Sequence, residues 1–168
     1  MHWQWLRFSD LGVDRLYDAL ALRSRVFILE QGPYLDADGF DQRCWHLLGY
    51  GDAGDLQCYL RVVDPELKYA EPSIGRVITA PEVRGRGLGR LLMHEGMVRC
   101  EQAWPGCGIR ISAQARLERF YAELGFMRVG EVYLEDGIDH LEMFKAPQEA
   151  SQEASQEAPQ VARESAAP

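Results

Sequence analysis

The stretch RGRGLGRLLMHEG, residues 84–96, decides how the chain around it is interpreted. It places three glycines and three arginines within seven residues, after an apolar strand-like run and before leucines at helical spacing. The first backbone N–H groups of a helix have no internal partner, and the helix dipole adds partial positive charge there. Glycines let an anion approach that backbone closely, and arginines add forked donors. The pattern therefore predicts a phosphate-binding loop, with a merely solvated connection as the alternative.

The glycine spacing of this loop disagrees with two common nucleotide motifs. A P-loop ends in Gly-Lys-Ser/Thr, and the dinucleotide fingerprint requires G-x-G-x-x-G. Gly85, Gly87 and Gly89 are instead spaced G-x-G-x-G and are followed by Arg90. No acidic residue ends a strand about 20 residues further on, where a dinucleotide fold binds the ribose. The kind of phosphate ligand must therefore be inferred from the rest of the chain.

The segments on both sides of the loop predict a mixed α/β (α+β) fold. Alternating apolar and polar residues indicate strands, and apolar residues at helical spacing indicate helices between them. The predicted strands span about 3–8, 44–51, 56–64, 73–79, 109–114, 126–135 and 138–145. The predicted helices span about 14–30, from the loop to 103, and 115–124. This order, β-α-loop-β-β-β-α-β-α-β-β, predicts a mixed sheet with helices on both faces.

The overall composition excludes several classes of protein. A chain of 168 residues with a net charge of −8 is suited to one domain and unsuited to general nucleic-acid binding, which needs clustered lysine and arginine. No apolar run is long enough to span a membrane. The four cysteines form no C-x-x-C pair, and no histidine pair has zinc-ligand spacing. We therefore expect no metal, no secretory signal, and reduced thiols in a cytoplasmic protein.

The composition changes at Pro147. From there to residue 168 the triplet QEA occurs three times and no aromatic residue is present. Such a segment has almost nothing to bury, so a disordered or loosely helical acidic tail is expected. The sequence therefore divides into a folded domain, residues 1–146, and a low-complexity tail, residues 147–168.

At this point the residues resemble a known family, the GNAT N-acetyltransferases. Arg84-x-x-Gly87-x-Gly89 is similar to their acyl-CoA signature, Q/R-x-x-G-x-G/A, and FYAELGF (120–126) is similar to their F-Y-x-x-x-G-F motif. The ElaA-type branch is resembled most, and the similar segments are RSRVFILEQGPY (23–34), HLL (46–48), IGRV (74–77), SAQA (112–115) and EDGIDH (135–140). The resemblance covers about residues 3–146.

Two positions depart from the pattern of that branch. Gly32 stands where a cysteine usually precedes Pro-Tyr, and Asp139 stands where a proline usually precedes histidine. Neither change removes an expected phosphate contact. Asp139 adds a carboxylate beside His140, so the departure concerns the acceptor side.

The resemblance implies a GNAT fold of about seven strands, with strands 4 and 5 splayed and acetyl-CoA as the acyl donor. Backbone groups near Val77, Ile78 and Thr79 would pair with the pantetheine arm. Arg84 would position the phosphate loop, and Arg90 would either contact phosphate or face solvent. The backbone N–H groups expected to hold the pyrophosphate are those of Arg86, Gly87, Leu88 and Gly89.

The implied reaction is direct attack of a primary amine on the thioester. Tyr121 matches the family tyrosine that serves as general acid, although its place on an apolar helix face also suits a core residue. The general base stays open between His46 and His140, the latter among Glu135, Asp136 and Asp139. His46 is equally suited to a satisfied core histidine. The aspartates Asp36, Asp38 and Asp41 either attract a cationic acceptor or form a solvated loop.

Three further questions stay open at the level of sequence. The acceptor is a small-molecule or peptide amine that the residues do not name. The rival to an enzyme is a non-catalytic acyl-CoA-binding or interaction module, and a longer acyl group is a third alternative. GNAT domains often pair, so a homodimer is expected to be one state of the protein.

Overall fold

The computed structural model describes residues 1–30, 32 and 35–147. The strands are β1 (His2–Arg7), β2 (Cys44–Tyr50), β3 (Leu56–Val63), β4 (Ser73–Thr79), β5 (Ile109–Gln114), β6 (Met127–Glu135) and β7 (Ile138–Lys145). The helices are α1 (Gly12–Arg23), α2 (Leu88–Ala103) and α3 (Glu118–Ala122). The predicted tail lies outside the described residues beyond Pro147. Within the described residues, no helix has the length and apolar character required to cross a membrane.

The strand and helix order confirms the sequence prediction, and β4 and β5 have the predicted bounds. Two helices are shorter than predicted. After Arg23 the chain continues as a π-helical turn, Ser24–Ile28, and the third helix begins with a 3-10 turn at Ala115–Leu117. Apolar periodicity persists through such turns, so the sequence pattern marks the buried face but not where the α-helical hydrogen bonding ends.

Helices cover both faces of the sheet, as predicted. Strand β3 shows this directly, because successive side chains of a strand point to opposite faces. Leu60 packs beneath α2, where a Cβ on Gly96 would lie 2.7 Å from a Leu60 methyl carbon. The neighbouring Tyr59 faces α1, with the Arg23 guanidinium 5.9 Å from its ring. Glycine at position 96 therefore lets α2 approach the sheet closely.

The seven-stranded sheet has the order β1-β2-β3-β4-β5-β7-β6. Five of the six strand pairings are antiparallel, and β4 runs parallel to β5. These two central strands pair only where they begin, at Ser73 and Arg110, and the Arg110 N–H donates to the Pro72 carbonyl at 3.0 Å. Beyond this pair the strands separate, as the splay of strands 4 and 5 requires.

A β-bulge in β4 accompanies the separation. Tyr59 is opposite Ile78 and Arg61 is opposite Gly75, so one residue of β3 faces two of β4, Arg76 and Val77. Arg76 adopts a left-handed backbone conformation, with φ of 53°. Bulges of this kind redirect a strand and occur often beside functional sites.

Candidate functional site

The gap between β4 and β5 forms a groove of about 700 Å³. The second half of β4 lines one wall, through Val77, Ile78 and Thr79, and β5 lines the other. The turn after α1, helix α3 and the β6–β7 hairpin close the remaining sides. A groove of this size suits an extended organic ligand.

The glycine-rich loop stands at the end of β4 and leads into α2. Gly85 and Gly87 have φ of 77° and 79°, a conformation that glycine adopts without strain. The Gly87 carbonyl accepts from the N–H groups of Arg90 and Leu91 at 3.1 and 3.2 Å, which starts the helix. Among the described residues, the backbone N–H groups of residues 85–89 find no acceptor. A Cβ at Gly85 or Gly87 would meet no heavy atom within 4 Å, so no described side chain covers these two glycines.

The loop arginines differ in what their side chains contact. Arg84 forms a fork on Glu30, with N–O distances of 2.9 and 3.1 Å. Arg90 pairs with Glu123 and lies over the Phe120 ring at 5.6 Å. Arg86 makes no ion pair within the part of the chain that is described. Arg84 therefore anchors the loop, Arg90 turns towards α3, and Arg86 keeps its charge available.

The comparison with protein families agrees with this geometry. A sequence model of a protein family, described as "Acetyltransferase (GNAT) domain", matches residues 45–147, which include nearly all of the chain from β2 to β7. The chain belongs to the GNAT acetyltransferase family. The resemblance inferred from the loop and from FYAELGF is confirmed.

Relatives of this GNAT protein place it beside ElaA. Protein ElaA of Escherichia coli is 40% identical over 85% of this chain and 95% of its own length. A UPF0039 protein of Synechocystis is 43% identical over 88% of this chain and 97% of its own. An acyl-CoA N-acyltransferase structure from Pseudomonas aeruginosa superposes with a TM-score of 0.82 at 40% identity, covering 86% of this chain and 99% of its own. The ElaA crystal structure superposes with a TM-score of 0.80 at 39% identity, covering 86% and 98%.

Tyr121 of this GNAT domain lies on α3 and lines the groove. The side chain is 7% exposed and packs edge-on against Phe120 and Phe126, with ring centroids 5.0 and 6.1 Å away. Its hydroxyl makes no hydrogen bond to any described residue, and burial raises the pKa of Tyr121 to about 12. The ring is thus part of the core while the protonated hydroxyl remains free to donate in the groove.

His140 lies on β7 and also lines the groove. Its Nδ1 is 2.8 Å from the Ile138 carbonyl oxygen, which can only accept, so Nδ1 carries a proton. In the neutral tautomer Nε2 then has a free lone pair. Ser112 on the neighbouring β5 contacts Tyr133 Oη at 2.6 Å and Glu135 Oε2 at 3.0 Å. A polar wall of hydroxyl, carboxylate and imidazole therefore stands at this end of the groove.

His46 lies outside the groove lining. It is 1% exposed, its Nε2 donates to the Asp41 carbonyl at 3.0 Å, and its Nδ1 accepts from the Tyr59 hydroxyl at 2.7 Å. Burial lowers the pKa of His46. Both ring nitrogens are occupied, so the structure favours the core histidine that the sequence left as an alternative to a base.

The aspartates of residues 36–41 are all paired with arginines, and Asp36 and Asp41 are buried while Asp38 remains exposed. Each bridges two arginines, and each arginine bridges two aspartates, so the ion pairs close on themselves. The N–O distances are 2.8 Å for Arg23–Asp36, 2.7 Å for Asp36–Arg76, 3.2 Å for Arg76–Asp38, 2.6 Å for Asp38–Arg61, 2.7 Å for Arg61–Asp41 and 2.9 Å for Asp41–Arg23. We call these six residues the Arg–Asp ring. The pairing argues against a cation-attracting segment, and the alternative of a solvated loop holds for Asp38 but not for Asp36 and Asp41.

Sequence reasoning missed three groove residues. Glu30 holds Arg84, Ser112 holds Glu135, and Arg76 joins the groove wall to the Arg–Asp ring. For Arg76 a signal existed, because a glycine and an arginine interrupt the otherwise apolar run SIGRVIT, which is typical of a bulge. Pairings such as Glu30 with Arg84 span 54 positions, and no local pattern reports them.

Proposed function

We propose that this GNAT protein is an acetyl-CoA-dependent N-acetyltransferase that acts on a primary amine. One observation carries the proposal: the groove between β4 and β5 ends at the loop whose backbone N–H groups, residues 85–89, find no acceptor among the described residues. Donors without acceptors at a helix N-terminus suit a phosphate group. The diphosphate of CoA fits this loop because no side chain occupies the space before the glycines.

The chain's own residues provide a binding site along the length of the donor. The backbone N–H groups of Arg86, Gly87, Leu88 and Gly89 hold the pyrophosphate. Val77, Ile78 and Thr79 offer β4 backbone to the pantetheine arm, since β5 does not pair with them. Arg84 fixes the loop through Glu30. Arg90 remains engaged by Glu123, which leaves Arg86 as the side chain that adds charge.

Bound acetyl-CoA supplies an activated acetyl thioester, so that direct attack forms a C–N bond to the acceptor and releases the thiol. The protein must also assist two proton transfers, one to the departing sulfur and one from the acceptor amine. Tyr121 holds a proton on Oη, because burial raises its pKa to about 12, and can deliver it to the departing sulfur. His140 can take the proton of the acceptor amine at Nε2, since Nδ1 is committed to the Ile138 carbonyl.

The acceptor would enter beside the β6–β7 hairpin. Glu135 and Asp136 line this end of the groove, and neither forms an ion pair with an arginine or lysine in the described residues. Their charge would favour an ammonium group over a carboxylate near the reacting nitrogen. The acceptor is accordingly a small-molecule or peptide amine.

Two measurements test the proposal. Isothermal titration should show acetyl-CoA binding, and its absence would refute the function. A thiol-release assay with a panel of amines should then show turnover that falls about a hundredfold in Tyr121→Phe and in His140→Gln. The exposed Tyr17 and the helix residue His94 provide the matched controls Tyr17→Phe and His94→Gln. Binding without turnover by any amine would support a non-catalytic acyl-CoA-binding module instead.

The remaining expectations are proposals about assembly and location. Residues 1–146 act as one catalytic domain in the cytoplasm, which the scattered free cysteines support. A homodimer is supported by β6, an exposed edge strand that carries Met127 and Leu134 at 63% and 69% exposure. Light scattering on the wild type and on Leu134→Glu tests the dimer, which the charge should dissociate.

A further inference from the structure

The Arg–Asp ring lies beside the groove and joins four parts of the fold. Arg23 ends α1, Arg61 lies on β3, Arg76 lies on β4, and the aspartates come from the segment 36–41. Arg23 and Arg61 are 1% and 5% exposed, so their charges depend on the aspartates for compensation. Arg76 is the member that also lines the groove.

Arg76 holds a backbone conformation that its residue type disfavours. With φ of 53° it lies in the left-handed region, which strains an L-residue other than glycine. Such a conformation persists only where surrounding contacts fix it. Here Asp36 Oδ1 accepts from Nε at 2.7 Å, the Asp36 carbonyl accepts from Nη2 at 3.2 Å, and the Phe27 ring lies 5.6 Å below the guanidinium.

The strained residue stands where β4 leaves β5. Before it, Ser73 of β4 pairs with Arg110 of β5. After it, Ile78 and Thr79 pair only with β3 among the strands, and their other edge faces the groove. The bulge at Arg76 and Val77 therefore sets the direction of the β4 backbone that lines the donor groove.

We infer that Asp36 and Asp38, acting through Arg76, are positioning residues that hold the β4 bulge open for the acyl donor. This inference rests on the proposed function, because the groove is taken to bind acetyl-CoA. The ring fixes the Arg76 side chain through Asp36 and Asp38, and the side chain fixes the left-handed backbone. Loosening that anchor lets β4 relax to an unstrained strand, and the donor then has to restore the bulge when it binds.

Substitution of Arg76 by alanine and by glycine separates the anchor from the backbone. Both variants remove the side chain and leave Asp36 with its buried partner Arg23. Alanine disfavours the left-handed φ as arginine does, so the unanchored strand relaxes, whereas glycine adopts this φ freely. Arg76→Ala should therefore bind acetyl-CoA about tenfold more weakly than wild type, which corresponds to about 1.4 kcal/mol, and Arg76→Gly should lose no more than about threefold.

The readout is the dissociation constant of acetyl-CoA from calorimetry, together with the urea midpoint of each variant. Arg7→Ala is the matched control, because Arg7 pairs with Asp64 and stacks on Trp45 away from the groove. Equal affinities of alanine, glycine and wild-type proteins overturn the inference, and so does an equal loss in both variants. If the wild type itself does not bind acetyl-CoA, the proposed function fails instead. A lower urea midpoint with unchanged affinity would show that the ring serves stability alone, which also overturns the positioning role.

Discussion

Two charged segments of this protein, residues 84–90 and residues 36–41, use their charges in opposite ways. The first carries three arginines and the second carries three aspartates. In the second, each of the three aspartates, Asp36, Asp38 and Asp41, forms ion pairs with two arginines of the Arg–Asp ring. In the first, the arginine side chains largely turn to neighbours while the backbone donors of residues 85–89 stay unmatched.

The difference shows that charge count does not identify a ligand site. A cluster of like charges attracts a ligand only if the fold leaves its hydrogen-bonding capacity unused. Folding satisfies the acidic segment internally, and the pKa values follow. Burial alone would raise the pKa of Asp38, but the hydrogen bonds and charge of Arg61 hold it well below its usual range. The glycine loop has no such internal partner, so its free capacity remains for an anion.

Breaking the ring should give the largest effect. Asp41→Ala removes a carboxylate that compensates Arg23 and Arg61, both buried, and should lower the free energy of unfolding by ~3–5 kcal/mol. Urea denaturation measures it, with Asp52→Ala as the control because Asp52 is 92% exposed. A loss no greater than that of the control would mean that the ring behaves like ordinary surface ion pairs.

A carboxylate placed in the glycine loop should give the next largest effect, which we expect on acetyl-CoA binding. Gly87→Asp places a carboxylate before the free N–H groups and should weaken acetyl-CoA binding about a hundredfold by charge repulsion and loss of donors. The open space around Gly87 admits the side chain, and the backbone strain at its φ of 79° is shared by the control below. Gly54→Asp is a matched control, because Gly54 has φ of 81° and equally open surroundings in the β2–β3 turn. Similar calorimetric affinities in both variants would contradict the phosphate site.

Lowering the pH should destabilise the Arg–Asp ring gradually, with a smaller effect than the two substitutions above. The folded-state pKa values of Asp38 and Asp41 are lowered by Arg61 and Arg23 against the opposing effect of burial, so the unfolded chain binds more protons in acid. Their stabilisation is complete above the unfolded value of about 3.9 and is lost as pH falls through the folded values. Urea midpoints measured from about pH 6 to about pH 3 should fall less steeply in Asp41→Asn than in wild type. Parallel profiles would assign the acid sensitivity to other carboxylates.

The smallest effect should be a difference in acetyl-CoA affinity between variants at two arginines of the same loop, Arg86 and Arg90. Arg86→Ala should weaken acetyl-CoA binding about fivefold at low salt, and the loss should shrink at high salt because an exposed charge is screened. Arg90→Ala should remain within about twofold of wild type, since Arg90 already pairs with Glu123. Titrations at two ionic strengths test the pair. The reverse order would place Arg90 on the phosphate.

Local patterns were sufficient for most of the fold. SIGRVIT and IRISAQ were predicted as strands, and β4 and β5 have these bounds, because short runs with β-branched apolar residues between loop signals indicate strands. Asp136-Gly137 predicted the β6–β7 hairpin, and both residues have positive φ. The bounds of α1 and α3 were less accurate, since a π or 3-10 turn preserves the apolar stripe while changing the hydrogen bonding.

The residues of the candidate site also fall into two groups, those that local sequence predicts and those that depend on tertiary contacts. The loop glycines and Tyr121 could be named from sequence, because a phosphate loop and F-Y-x-x-x-G-F are local in the chain. The surroundings of His46 and the partners of Asp36 could not, because Tyr59 and Arg76 reach them only through strand pairing and helix packing. The local sequence around a histidine in an apolar strand does not indicate whether both of its ring nitrogens are hydrogen-bonded.

The sequence by itself determined the order of the elements, the family, and the loop whose glycines expose backbone donors at a helix N-terminus. These features depend on residues within about one turn or one strand of each other. Only the tertiary structure decided which charges remain available. Ion pairs join residues such as Arg76 and Asp36, 40 positions apart, and such pairing is fixed by how the sheet and α1 pack. The aspartates are therefore all paired with arginines, and the glycine loop kept the unmatched donors.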